Sequence, residues 1–275
     1  MAIAKKKDTS PINLTLIERG QIDACILGTT SIVLNRISEK ARRQLLAPQT
    51  KGRAERAATM KHDPLEEYRT SPYLDMTPDG PTALQVVTSS IKLAMATVPQ
   101  DLPDTNTSMA QLKRLIWAVG ERTALYGVPK LMMSITRNSD MGHTPDVRTR
   151  AVVEQWACRV SITYVKPVLR DEVVAKLLAA AGFMRGIGDW RAEKGNGTHG
   201  LFEVVAESDP RFKHVVKHGG RAAQLAALEE PTFYDRESEE LYAWFVDEKA
   251  RRGHGEAPSK TNGKRKKVVA EEVTL

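Results

Sequence analysis

The segment around residues 155–164 constrains the fold most. Trp156, Cys158, Val160, Ile162 and Tyr164 alternate without a break with Gln155, Ala157, Arg159, Ser161 and Thr163. A strand repeats its side-chain direction every two residues, so this pattern makes one apolar face and one mostly polar face. One-sided patterning belongs to antiparallel sheets that pack one face and solvate the other. Pro167 stops the strand, and Asp171 is placed to cap a helix with the apolar stripe Val174, Leu177, Leu178 and Ala181. Gly182 suits the C′ position of that helix, with Phe183 supplying the accompanying apolar contact.

The rest of the chain is read against this unit. Ile12, Leu14 and Leu16 alternate with polar residues, Gly20 predicts a turn, and Ile22, Ala24 and Ile26 predict a second strand. Leu84, Val87, Ile91, Met95 and Val98 fall on one helical face, which predicts a helix over Thr82 to Val98, closed by Pro99 and Pro103. Short strands are predicted at Leu115 to Val119, Leu131 to Ile135 and Leu201 to Ala206, with a loop from Arg137 to Asp146. A last helix is predicted from Asp235 to Arg252, its acids first and its bases last, as the helix dipole favours. The order strand, helix, strand, strand, helix, strand predicts an α+β fold. Its plan is a ferredoxin-like antiparallel sheet with two packed helices.

The predicted organisation has four parts: a basic arm over residues 1–10, a domain over 11–210, a helical extension over 211–252 and a disordered basic tail over 253–275. Inside the domain, residues 41–81 have little periodicity and frequent Pro and Gly, which predicts a long excursion with one short helix near Arg53 to Met60.

Charge is distributed unevenly. The net charge is +7, and eight Lys and Arg between Lys249 and Lys267 face Glu256 alone. A second block holds Arg42, Arg43, Lys51, Arg53, Arg56 and Lys61 against Glu55, and Lys5, Lys6 and Lys7 form a third. Basic charge concentrated in such segments suits a polyanionic partner. The longest nearly apolar run, Val173 to Met184, is too short for a bilayer, which needs ~20 residues, so no membrane partner is expected. Residues 1–10 have no apolar h-region, so no secretory signal is expected. Cys25 and Cys158 stand alone, which predicts two reduced thiols and no zinc site.

Six glycines, at 182, 186, 188, 195, 197 and 200, fall within 19 residues. Arg185, Arg191 and Lys194 are interleaved with Asp189, Trp190 and Glu193. Missing Cβ atoms permit positive φ and close approach to a ligand, and successive N–H groups in such a loop can form an anion nest. The cations add charge, and Trp190 offers a stacking plane. Gly195 to Gly200 match G-x-G-x-x-G but precede a strand instead of opening a helix, so a dinucleotide site is not expected. No Walker-type phosphate loop is present.

The helix end Ala180-Ala181-Gly182, then Gly186-Ile187-Gly188-Asp189-Trp190-Arg191, then Gly200-Leu201-Phe202-Glu203-Val204 resembles the signature of an uncharacterised family of bacteriophage proteins. That family in turn resembles the RAMP superfamily, which includes the RNA-binding backbone subunits of CRISPR complexes. Ser89 to Met95, with Lys92 beside an apolar face, and Val147-Arg148-Thr149-Arg150 also fit. The resemblance covers about residues 10–206. It implies a modified RRM fold with a glycine-rich loop after the second helix. It also implies head-to-tail assembly along single-stranded nucleic acid, and a place in the bacterial host cytoplasm.

The expected function is therefore largely sequence-independent binding of single-stranded RNA or DNA. Lys92, Arg148, Arg150, Arg185, Arg191 and Lys194 would neutralise phosphates, with Arg42, Arg43, Lys51, Arg53 and Arg56 on the excursion. Trp190 would stack, and Gly186, Gly188, Gly195 and Gly197 would admit the backbone closely. No cofactor, metal or catalytic residue is expected. His62, His143, His199, His214, His218 and His254 form no metalloprotease pattern. Two alternatives stand beside this reading. One is a metal-independent RNA endonuclease using His199 or one of Asp63, Asp75 and Asp79. The other is a structural or counter-defence protein that mimics a CRISPR backbone subunit.

Overall fold

The strand that the alternation predicts is β9 (Ala157–Lys166), and it is central to the larger of two sheets. The computed structural model describes residues 16–36, 62–101, 107–137, 145–192 and 197–253. β1 (Glu18–Gly28) runs antiparallel beside β9, from Glu18 opposite Lys166 to Leu27 opposite Ala157. β10 (Phe202–Val205) pairs with the end of β1, from Cys25 to Gly28. On the other side of β9, β5 (Ile116–Ala118) pairs with Ile162 to Tyr164, and β6 (Arg122–Tyr126) with Ala157 and Cys158. β4 (Leu84–Val87) and β3 (Tyr73–Leu74) extend the sheet beyond β6. A second antiparallel sheet has the order β2 (Ile32–Leu34), β8 (Pro145–Val153), β7 (Pro129–Arg137).

The apolar face of β9 does what its period dictates. Trp156, Cys158, Val160, Ile162 and Tyr164 enter the main core with Ile26 of β1. Two helices cover that face and pack on each other: α2 (Thr88–Thr97), through Ile91, Ala94 and Met95, and α4 (Asp171–Met184), through Val174, Leu178 and Ala181. The opposite face carries Leu27 and Ala157, on which α5 (Pro210–His218) lays Phe212 and Val215. The small sheet turns Ile32, Leu131, Met133, Ala151 and Val153 to the main core and Val33, Met132 and Val152 away from it. α1 (Pro64–Thr70), α3 (Met109–Leu115), α6 (Arg221–Glu229) and α7 (Arg236–Gly253) complete the described residues. The fold is α+β with antiparallel sheets. Among the described residues no helix is long and apolar enough to cross a membrane.

Several expectations need correction. Gly20 is no turn: β1 runs through it, because a Cβ there would lie 2.4 Å from the Tyr164 ring. The helix expected from Thr82 begins at Thr88, and Leu84–Val87 form β4 instead. The β-branched pair Val86 and Val87 favours the strand. The strand expected at Leu115 is preceded by α3, whose capping box joins Ser108 and Gln111. Residues 62–81 belong to the body, since α1 buries Tyr68 completely and its hydroxyl donates to Ala227 O at 2.8 Å. Gly182 lies inside α4, where a Cβ would strike Phe202 O, and Phe183 is 82% exposed without the expected contact. The predicted helix near Arg53 to Met60, the strand at Ile12 and Leu14, and the tail beyond Gly253 lie outside the described residues.

A buried glutamine ties the C-terminal helices to the main sheet. Gln224 of α6 is fully buried. Its Oε1 accepts from Ala83 N at 2.7 Å and Leu84 N at 3.0 Å. Its Nε2 donates to Leu125 O, Gly127 O and Gly219 O at 2.7, 3.0 and 2.9 Å. Gln224→Leu removes both ends of this hub; Gly219 O keeps the Gly127 N–H at 2.9 Å, and each of the other groups left unsatisfied costs about 1–3 kcal/mol. The expected result is a loss of about 3 kcal/mol or more in urea unfolding; a loss under about 1 kcal/mol would show that the hub carries no stability.

Candidate nucleic-acid interface

The outward face of the small sheet gathers more of the expected site than any other described surface. On β8, Val147, Ala151 and Val153 pack inward with the fully buried Thr149. The period of two then turns Arg148, Arg150 and Val152 outward on one side. Val152 meets Val33 of β2 and Met132 of β7, and Trp190 and Tyr234 close over these three apolar side chains. Trp190 comes from the glycine-rich loop, so the loop and the arginine pair share one face.

The loop is held by backbone contacts. Ile187 N donates to Gly200 O, Asp189 N to Val33 O, Gly200 N to Ser31 O and His199 N to Trp190 O, at 2.8 to 3.2 Å. Gly186, Gly188 and Gly200 have φ of 68°, 90° and 77°. A Cβ would meet Gly200 at 2.8 Å from Gly186, Val33 O at 2.8 Å from Gly188 and Trp190 O at 1.7 Å from Gly197. These glycines serve close packing of chain on chain. The N–H groups of Ile187, Asp189 and Gly200 are taken by carbonyls, so they do not form the expected anion nest. Trp190 itself has φ 51°, a rare conformation for an aromatic residue. Its N–H donates to Asp189 Oδ1 at 3.0 Å.

Charges on this face are interlocked. Burial pushes the Arg150 guanidinium down from its ordinary value, while the Asp189 carboxylate opposes the shift and Arg148 adds to it. Arg150 donates to Thr149 O at 2.9 Å, and its buried Nε has no partner among the described residues. Asn35 donates to Asp189 Oδ2 at 2.6 Å. Arg191 Nη1 donates to Gly188 O at 2.9 Å. Arg148 Nε lies 3.8 Å from Asp146, which also meets His62 Nε2 at 3.0 Å. His62 Nδ1 lies 2.7 Å from Glu67 of α1. Beside Trp190, Ser31 Oγ is 2.8 Å from His199 Nδ1 and 3.3 Å from the Tyr234 hydroxyl.

Two expected phosphate ligands sit elsewhere. Arg185 is buried, donating to Thr97 O at 2.8 Å and pairing with Asp101 at 2.7 Å, so it closes the C-terminal end of α2. Lys92 of α2 places Nζ 5.8 Å from the Trp117 ring. Trp117 sits opposite Thr163, which pairs with Gln21 early in β1, whereas the glycine loop docks on Ser31 and Val33 beyond the end of β1. Arg42, Arg43, Lys51, Arg53, Arg56, Lys194 and Gly195 lie outside the described residues. The described ends of their segments border the arginine face: Asn35 holds Asp189, His62 holds Asp146, and Ala192 and Gly197 follow Trp190 in the loop.

Of the residues weighed for catalysis, Asp63 caps α1 by accepting from Glu66 N, and Asp75 accepts from Thr77 N. His214 and His218 stack with centroids 4.3 Å apart, and no group of three metal-ligating side chains occurs among the described residues. Both cysteines are free, and burial pushes the Cys158 thiol up. Sequence reasoning missed Asn35, Glu67, Asp146 and Tyr234. Asp146, two residues before Arg148 on a strand, was the one that spacing could have found. Compared with models of protein families and with curated proteins, the chain matches none.

His62 gives this face a pH dependence. Its pKa is raised above the ordinary value, chiefly by the hydrogen bond to Glu67, with burial opposing and Asp146 assisting. A raised folded-state pKa contributes stability that is complete below the unfolded value, about 6.5, and is lost as pH rises through the folded value. The stability difference between the unaltered chain and His62→Gln is expected to be largest below about pH 6 and to shrink above about pH 6.5. A difference that stays constant from acid to alkaline pH would remove His62 as the titrating group.

Proposed function

We propose that this chain binds single-stranded nucleic acid on the outward face of the small sheet, with little sequence preference. The observation that carries the reading is the convergence of Arg148 and Arg150 with Trp190 on one face, with Arg191 next to Trp190 in the loop, bordered by the ends of the segments that hold Arg42, Arg43, Lys51, Arg53, Arg56 and Lys194. Guanidinium groups suit phosphate oxygens, and the indole suits an unpaired base. Phosphate contacts position a strand without reading it. The Asp146 carboxylate lies 3.8 Å from Arg148, and the Asp189 carboxylate favours the charged form of Arg150.

A ferredoxin-like core is part of the same reading. The spatial order β10, β1, β9, then β5 with β6, and the pairing of α2 with α4 on one face, support that plan. Head-to-tail assembly along a strand, as the RAMP resemblance implies, would repeat the arginine face at regular intervals.

A second reading has its own support. The Ser31 contact at His199 Nδ1 leaves Nε2 without a partner among the described residues, next to Trp190. An imidazole so placed can move a proton at a phosphodiester bound on this face, which is what a metal-independent endonuclease needs. Cleavage of a labelled RNA, lost in His199→Ala while binding persists, would establish it.

The binding test measures affinity for single- and double-stranded RNA and DNA against salt. Single strands should bind better, with log K falling linearly in log salt. Arg148→Gln with Arg191→Gln should reduce the slope by about 1 to 2, roughly 0.7 for each phosphate no longer neutralised. Lys92→Gln, at the other end of β1, should leave it unchanged. Absence of binding in dilute buffer overturns the proposal.

A further inference from the structure

β1 has eleven residues, but β10 covers only four of them. From Glu18 to Ala24 the edge of β1 facing away from β9 has no strand partner among the described residues. α4 nevertheless runs over the whole length. Its Asp171 takes the Tyr164 hydroxyl at the Gly20 end of β1, and its Gly182 rests on Phe202 at the Gly28 end. The result is an apolar groove of 780 Å³ where the missing length of β10 would lie, lined by Ile22, Ala24, Ala175, Leu178 and Val204. Its rim carries Asp23, Asp171, Glu172 and Glu207; Asp171 pairs with Lys166 at 2.8 Å, Glu172 with Lys176 at 2.6 Å and Glu207 with Arg159 at 3.0 Å, while Asp23 accepts from the Ser161 hydroxyl. At the mouth of β1, Leu16 and Ile17 are 78% and 69% exposed.

The chain carries a segment that matches this groove. Ile12, Leu14 and Leu16 alternate with Asn13 and Thr15, so one face of an extended strand is apolar, and Lys5, Lys6 and Lys7 precede it. Its length fits the unpaired stretch from Glu18 to Ala24, its apolar face fits the floor, and it ends at Leu16, whose exposed side chain stands at the mouth of β1. Folding back in its own chain would need a tight turn at Leu16 and Ile17. Those side chains do not suit the positive φ of a two-residue hairpin.

We propose that residues 11–16 of a second copy add as a strand to the Glu18–Ala24 edge, beneath α4, and so join copies of this chain head to tail. Backbone hydrogen bonds give the affinity, and Leu14 and its neighbours in the groove set the register. A contact of this kind is heterologous and builds open chains. It supplies an interface for the head-to-tail assembly of the nucleic-acid reading, does not rest on nucleic-acid binding, and is tested with no nucleic acid present.

Sedimentation velocity of the full chain should show concentration-dependent association. Leu14→Asp removes the apolar plug, and Ala175→Arg fills the groove from an exposed helix position; each alone should weaken association tenfold or more. Mixing the two variants should give one-to-one pairs that grow no further, because the intact arm of one enters the intact groove of the other. That mixture also controls for misfolding, since a misfolded variant rescues nothing. A chain that stays monomeric at about 100 μM, a variant that associates like the unaltered chain, or a mixture that forms no pair overturns the proposal.

Discussion

The ladder between β1 and β9 holds the rest of the molecule in place. Ten consecutive residue pairs, Glu18 with Lys166 through Leu27 with Ala157, fix which side chains face α2 and α4. A slip of one residue would turn Ile22 and Ile26 to the other face. The same register brings Gly28 against the indole of Trp156, where a Cβ would approach to 2.2 Å, and Trp156 Nε1 donates to Thr30 O at 2.8 Å. The chain can then leave the large sheet at Gly28 and enter β2 of the small one at Ile32. The position of the arginine face therefore depends on a pairing made on the other sheet.

The glycine-rich loop works through that junction. It docks on Ser31 and Val33, the connection that the ladder positions, and its glycines allow carbonyls and amides of neighbouring segments to meet at hydrogen-bonding distance. What it presents outward is Trp190, in a left-handed conformation that packing on Val33, Met132 and Val152 maintains. Backbone strain of this sort persists only where the surroundings over-determine it. The described part of the loop is a mount for one aromatic side chain, with the amides of Ile187, Asp189 and Gly200 taken by carbonyls.

Much of the fold was legible because period alone decides it. β9, α4 and β10 follow from alternation, a proline stop and an apolar stripe, all local signals. The Arg148 and Arg150 pair was legible for the same reason. What was not legible depends on distant partners. β4 replaces a turn of predicted helix partly because Gln224, 140 residues away, accepts the Leu84 N–H. Gly20 resembled a turn because nothing nearby in sequence announces the Tyr164 ring. Arg185 looked like a phosphate ligand because its chemistry is right; only the tertiary structure shows that Thr97 O and Asp101 already hold it.

Edge strands separate what the fold protects from what it leaves open. The outer edge of β7 is covered at two positions: Leu131 exchanges hydrogen bonds with Thr232 and Tyr234, and the Ser238 hydroxyl meets both backbone groups of Met133. The edge of β1 from Glu18 to Ala24 has no such cover among the described residues, though it flanks an apolar groove. Proteins blunt exposed edges because an unpaired edge recruits other chains. A fold that covers one edge with a serine hydroxyl and leaves another open beside apolar side chains is better suited to pairing there than to avoiding it. That edge lies at the start of β1, and the arginine face is reached only after its end. Strand addition at the first uses none of the residues that form the second.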